Sequence, residues 1–91
     1  MKVEWNPAKA ASNKRKYGVS FDEAATCFAD PLALHLEDHA HPERLVLIGT
    51  SERSRVLFTV FAELADVGGI RIISARKATR HERRRYEEEN D

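Results

Sequence analysis

The chain has 91 residues, 42% of them hydrophobic and 33% charged, with 15 basic and 15 acidic side chains and no formal net charge. That length suits a single domain over residues 1–91, with one sheet and a few helices, and excludes a second globular unit. The composition excludes a disordered tail, no apolar run approaches membrane-spanning length, and "MKVEWNPAKA" lacks the apolar stretch of a signal peptide, so the reading is a cytoplasmic protein with no membrane partner.

"KVEWN" alternates, with Val3 and Trp5 on one side, and predicts a short first strand. A helix follows at once. Asn6 is a good N-cap, Pro7 suits the first helical position because its missing N–H would be unpaired there, and Gly18 is placed to end the helix in a left-handed conformation. Ser20 and Glu23 have the spacing of a capping box, and Phe21, Ala24, Ala25 and Phe28 recur at i, i+3, i+4 and i+7, which predicts a second helix with its apolar stripe toward the core. Pro31 then forces Asp30 out of helical geometry. Cys27, the only cysteine, sits among Ala24, Ala25 and Phe28 and reads as a buried filler.

Four strand signals come next, "LALHLE", "RLVLIGTS", "RVLFTVFAEL" and "IRIISAR", rich in β-branched and aromatic residues. The links "DHAHPE", "SERS" and "ADVGG" have hairpin lengths, and Gly68-Gly69 supplies positive φ for a tight turn. The expected fold is therefore α+β: a curved antiparallel sheet, two N-terminal helices on one face, and a short polar C-terminal helix. That last helix starts from a capping box of Thr79 and Glu82 and runs through "RHERRRYEEEN". Beyond Ala78 and Tyr86 it has little apolar surface, and its arginines precede its glutamates, against the helix dipole. It reads as mobile, or as completed by a partner.

Zero net charge hides an uneven distribution: residues 1–20 carry +4, residues 21–66 carry −6 and residues 67–91 carry +2. Two basic ends meeting in space would make a surface that holds phosphates, against a competing reading of charge that is merely solvated. In "IRIISAR" a period of two puts Ile70, Ile72, Ser74 and Arg76 on one face, apolar at its start and polar at its end. A guanidinium there would clamp a phosphate or offset charge developing in phosphoryl transfer; the plainer reading is a surface ion pair at a strand end. His39 and His41 lack the spacing of a metal site, and no glycine-rich phosphate loop, zinc finger or helix-turn-helix is present, so no metal and no cofactor is expected.

The order of the motifs is more specific than any one of them. "W-N-P-x-K" at 5–9, Asn13, "KYGVSFDEA" at 16–24, "F-x-D-P" at 28–31, Gly49 with Ser51, Arg55, "RIISARKAT" at 71–79 and "ER-x-x-YE" at 82–87 together resemble the BrnT family over nearly the whole chain. These are ribonuclease toxins of bacterial type II toxin–antitoxin systems, similar in fold to RelE. The resemblance implies metal-independent RNA cleavage that stops translation and growth, with Arg76 first and Arg55 second as cations for the transition state and Ser74 as a hydrogen-bond donor. Lys16, Arg53, Lys9 and Lys77 would bind the RNA backbone. The family often has Lys-His-Gly where this chain has Lys16-Tyr17-Gly18, so Tyr17 takes over proton transfer, leaves it to another group, or is a packing residue. The implied partner is a BrnA-like antitoxin in a toxin–antitoxin complex such as a 2:2 assembly. It would be contacted by Arg80, Arg84 and Tyr86 and would carry the complex to operator DNA, where it represses its own operon. Two other classes stay open: a non-catalytic co-repressor of the same fold, and a general nucleic-acid-binding module.

Overall fold

In the computed structural model, which describes residues 1–65 and 68–90, the chain runs β1 (Val3–Glu4), α1 (Pro7–Tyr17), α2 (Phe21–Thr26), β2 (Leu34–Glu37), β3 (Leu45–Thr50), β4 (Val56–Leu64), β5 (Gly69–Lys77) and α3 (Arg80–Glu89), with a 3-10 turn at Cys27–Ala29. The start and end of α1 are as expected: Asn6 Oδ1 accepts from the N–H groups of Ala8 at 2.9 Å and Lys9 at 3.1 Å, and Gly18, at φ +70°, donates its N–H to the Lys14 carbonyl. At α2 only half of the capping box forms. Ser20 Oγ accepts from Glu23 N at 3.0 Å, but the Glu23 side chain is buried and turned toward Arg55 instead of back to residue 20.

Strand order is β1-β5-β4-β3-β2. The meander of β2 to β5 is antiparallel, as the short links require. The sheet as a whole is mixed, because β1 returns beside β5 in parallel, with Val3 opposite Ile70 and Glu4 opposite Arg71. Gly68 takes the positive φ expected of the last hairpin, while Asp66 and Val67 of "ADVGG" lie outside the described residues. Gly69 is needed for another reason: a Cβ there would stand 2.3 Å from the Lys2 carbonyl, so only glycine lets β1 approach.

The helices α1 and α2 cover one face, where Val19, Phe21, Ala24 and Cys27 pack on Leu47, Leu57, Phe61, Ile70, Ile72 and Ala75. Edge-to-face contacts of Trp5 with Phe21 and of Phe28 with Phe61 close this core. Cys27 is fully buried there, and burial first, then the charges of Glu23 and Asp30, push its thiol up to about 12. Among the described residues no helix is long and apolar enough to cross a membrane.

The opposite face holds a second core, Val46, Ile48 and Tyr86 with Leu34, Leu36, Val56, Phe58, Val60 and Ala78, and α3 lies over it. The expectation of a mobile C-terminal helix is therefore corrected. One buried aromatic does what a longer apolar stripe usually does: Tyr86 fills the sheet face, its hydroxyl donates to Asp30 Oδ2 at 2.6 Å, and Thr50 Oγ1 lies 3.1 Å away. The capping box of Thr79 and Glu82 forms in full at the other end. None of the Arg83–Glu87, Arg84–Glu88 or Arg85–Glu89 spacings closes into an ion pair among the described residues.

The expected common face of Ile70, Ile72, Ser74 and Arg76 is also corrected. Val60 pairs with Ser74 but Phe61 with Ile72, so Ile73 is an extra residue, a β-bulge. Strict alternation stops there. Ile70, Ile72 and Ala75 face the helices α1 and α2, while Ser74 and Arg76, opposite Val60 and Phe58, face α3.

Candidate functional site

Several basic side chains converge where β5 ends, and Asn13 is what brings α1 to that place. β1 pairs with β5 only at its start, so the backbone of Ala75 has no strand beside it on that side. Asn13, buried in the middle of α1, fills the gap: its Nδ2 donates to the carbonyls of Ala75 at 2.8 Å and Val19 at 3.0 Å, and its Oδ1 accepts from Ala75 N at 3.1 Å. The last turn of α1, with Lys14, Arg15 and Lys16, is thereby held at the end of the sheet.

Arg55 arrives from the β3–β4 turn and is committed to a carboxylate. Its Nε donates to Glu23 Oε2 at 2.9 Å, its Nη2 donates to Glu23 Oε1, and Nη2 also lies 3.4 Å from the Gly18 carbonyl. Ser51 Oγ donates to the same carboxylate at 2.7 Å, and Arg53 stands 3.9 Å from it. The hydrogen bonds from Arg55, followed by that from Ser51, outweigh burial and hold the Glu23 carboxyl down at about 2.

Arg76 is held differently. Its guanidinium lies over the ring of Phe58, 4.0 Å from the centroid, with Nη1 and Nη2 donating to Glu82 Oε1 at 2.7 Å and Oε2 at 2.9 Å, and Nη1 also donating to the Lys77 carbonyl. Glu82 Oε1 also accepts from Thr79 N at 2.8 Å, so the carboxylate that begins α3 is the one that fixes Arg76. The hydrogen bonds to Glu82 hold the guanidinium pKa above its ordinary value. Arg76 in turn holds the Glu82 carboxyl below its ordinary range.

Between these two pairs lies a cleft of about 310 Å³ lined by Ser54, Arg55, Val56, Lys77, Ala78 and Arg83. Its charged lining residues are all cations. The sequence-predicted residues thus divide. Arg55 and Lys77 line the cleft, Arg76 and Ser74 stand on the α3 face of the adjoining strand, and Tyr17 is exposed at the end of α1 with Lys16 5.2 Å from its ring. Arg53 is exposed beside Glu23, and Lys9 is exposed on the first half of α1 and lines no part of the cleft.

Arg80 and Arg84 are exposed on α3, whereas Tyr86 is buried and bonded within the fold. Sequence reasoning missed Phe58 as the platform for Arg76, Glu82 as its partner, and Arg83 in the cleft. Only Glu82 carried a signal, its capping spacing from Thr79, and that signal concerned the helix and not the arginine. No group of three or more His, Cys, Asp or Glu side chains with metal-holding geometry occurs among the described residues.

Comparison with known proteins agrees with this architecture. The family model of the ribonuclease toxin BrnT of type II toxin–antitoxin systems matches residues 5–82. No curated protein matches the chain in sequence. Among solved structures the chain is similar to the crystal structure of the Brucella abortus ribonuclease toxin BrnT, with 22% identity, 88% of this chain and 99% of that chain covered, and a TM-score of 0.71. At that identity the likeness is one of fold, and it matches the expected α+β layers.

Proposed function

This chain belongs to the BrnT family of ribonuclease toxins of type II toxin–antitoxin systems, and from that premise we propose that it is a metal-independent endoribonuclease acting at the end of its sheet, with Arg76 as the cation that meets the reacting phosphate. In this reaction the ribose 2′-hydroxyl attacks the adjacent phosphorus, the bond to the 5′-oxygen breaks, and a 2′,3′-cyclic phosphate and a 5′-hydroxyl result. One proton leaves the 2′-oxygen and one reaches the 5′-oxygen. The single observation that carries the assignment is the way Arg76 is held, over the Phe58 ring and bonded to Glu82 at a half-exposed strand end. Such a guanidinium stabilises charge on a pentacoordinate phosphorus without having to reorganise. Ser74, two residues earlier on the same face, is its hydrogen-bonding neighbour toward the phosphate, and Tyr17 is the candidate for proton transfer.

Lys16, Arg53 and Lys77 hold the flanking backbone, with Lys9 as a more distant contact. Arg55, the second candidate cation, stands in the cleft wall with its guanidinium held by Glu23. A BrnA-like antitoxin neutralises the toxin, contacts it through Arg80 and Arg84, and takes the complex, 2:2 in stoichiometry, to operator DNA to repress their own operon.

Induction of the chain alone tests this reading. The wild type is expected to stop growth and degrade RNA, and to cut RNA in vitro in the presence of EDTA. Arg76→Ala is expected to lower cleavage by about 10²- to 10³-fold, the range for losing one preorganised donor. A second reading has a specific observation behind it: both Nη atoms of Arg76 are already engaged by Glu82, as they would be in a co-repressor that no longer cuts. Folded wild type that neither stops growth nor cleaves RNA would select that reading.

A further inference from the structure

Resting on the ribonuclease reading above, we infer that the cleft between the β3–β4 turn and α3 is a second phosphate subsite, in which Arg83 and Lys77 hold the RNA phosphate next to the one that is cut. The lining of this cleft holds Arg55, Lys77 and Arg83 with no carboxylate among its lining residues. Arg55 is neutralised by Glu23. Lys77 and Arg83, by contrast, make no ion pair among the described residues, although Glu87 stands one helical turn from Arg83. Two cations facing one cavity repel each other unless an anion joins them, and a cavity of about 310 Å³ has room for a phosphate with its ribose.

The place in the fold supplies the rest. Arg76 and Lys77 are consecutive at the end of β5 and leave the strand on opposite faces, Arg76 toward Phe58 and Lys77 beside Leu57. A polynucleotide crossing the end of the sheet passes from one side chain to the next. Arg83 is one turn into α3, its N–H donating to the Thr79 carbonyl at 2.9 Å, at the same helix start from which Glu82 holds Arg76. The phosphate at the scissile position and its neighbour are then read by residues whose spacing the fold sets. Binding of a short RNA therefore depends on at least two phosphates.

The test uses a fluorescent single-stranded oligonucleotide with 2′-O-methyl riboses, which binds without being cut because the attacking hydroxyl is blocked. Wild type, Arg83→Ala, Lys77→Ala, Arg83→Lys and Arg85→Ala are titrated by anisotropy over a range of salt, with folding checked by circular dichroism. Arg83→Ala is expected to weaken binding about tenfold and to flatten the plot of log K against log salt by about 0.7, the contribution of one phosphate contact on a single strand. Lys77→Ala moves the same way, Arg83→Lys recovers most of the salt slope, and Arg85→Ala, exposed on the same helix but outside the cleft, stays near wild type. With RNA as the substrate, Arg83→Ala raises KM and leaves kcat largely intact, unlike Arg76→Ala. Tight binding by Arg83→Ala beside a cleavage defect in Arg76→Ala would overturn the subsite and leave the ribonuclease reading standing. Failure of folded wild type to bind or cut would overturn both. If Arg83→Ala lost only its antitoxin and kept the oligonucleotide, the cleft would be a protein contact and the subsite would again be wrong.

Discussion

Among the described residues, two arginine–glutamate pairs engage both oxygens of the carboxylate, and they do so in unlike surroundings. Glu23 and Arg55 have side-chain exposures of 3% and 23%, and they join α2, the β3–β4 turn and the end of α1. Arg76 and Glu82 are 34% and 19% exposed and join β5 to the first turn of α3, with Phe58 of β4 under the guanidinium. In the first pair, two donors from the β3–β4 turn, Ser51 and Arg55, converge on one buried carboxylate of α2. In the second, the guanidinium keeps an edge near solvent and an aromatic platform beneath it. Chemical type therefore does not distinguish the two arginines; how far each pair is open to solvent does.

Removing Arg55 should break this comparison most severely. It leaves Glu23 as a buried carboxylate without its main partner, for which roughly 3–5 kcal/mol of stability is expected to be lost. Thermal unfolding of Arg55→Ala should therefore show a much lower Tm, and any loss of toxicity should follow the loss of folded protein. Arg76→Ala, removing a half-exposed pair, should cost at most about 1 kcal/mol and keep Tm near wild type while cleavage falls. If Arg55→Ala stayed folded and inactive, Arg55 would belong to the chemistry after all.

Acid sharpens the same contrast. The Glu23 carboxyl is held at about 2 against an ordinary value of 4.5, so its folded-state pKa is depressed and its contribution is fully present above about pH 4.5. As pH falls from 4.5 toward 2 the unfolded state takes up the proton first, and about 3 kcal/mol is lost across that window. Asp30 and Glu82 are also held below their ordinary values and act in the same direction. Denaturant unfolding measured from pH 7 to pH 3 should be level down to about pH 5 and then decline, and Glu23→Gln should start less stable and decline less. Equal slopes in the two proteins would remove Glu23 as the source.

Much of the fold was legible because it rests on local chemistry. Asn6, Pro7 and Gly18 bracket α1, Pro31 ends the α2 segment, and the polar links between β-branched runs dictate the antiparallel meander. What was not legible depends on single contacts between distant residues. The bulge at Ile73 turns Ser74 and Arg76 to the other face without any glycine or proline to mark it. Tyr86 anchors α3 through Asp30, 56 residues away, and an apolar-stripe argument has no way to count a hydroxyl. The site was half visible: Arg76 and Lys77 followed from the strand and the family motifs. Glu82 looked like a helix cap only, and Arg83 was one of four arginines in six residues until the fold showed which of them faces the cleft.

The smallest expected effect comes from the reverse of the Glu23 case. Thr59 is fully buried on β4 between Leu47 and Ala75, and its Oγ1 has no hydrogen-bond partner among the described residues. Glu23 is a buried charge made stable by its donors; the Thr59 hydroxyl is a buried dipole with none, and its desolvation is uncompensated. Valine has the same branched shape without that dipole, so Thr59→Val is expected to gain about 1 kcal/mol and to raise Tm by a few degrees without altering cleavage. If Thr59→Val instead lowers Tm, the hydroxyl has a partner in solution, and the contrast with Glu23 would be one of strength only, since both buried polar groups would then be satisfied.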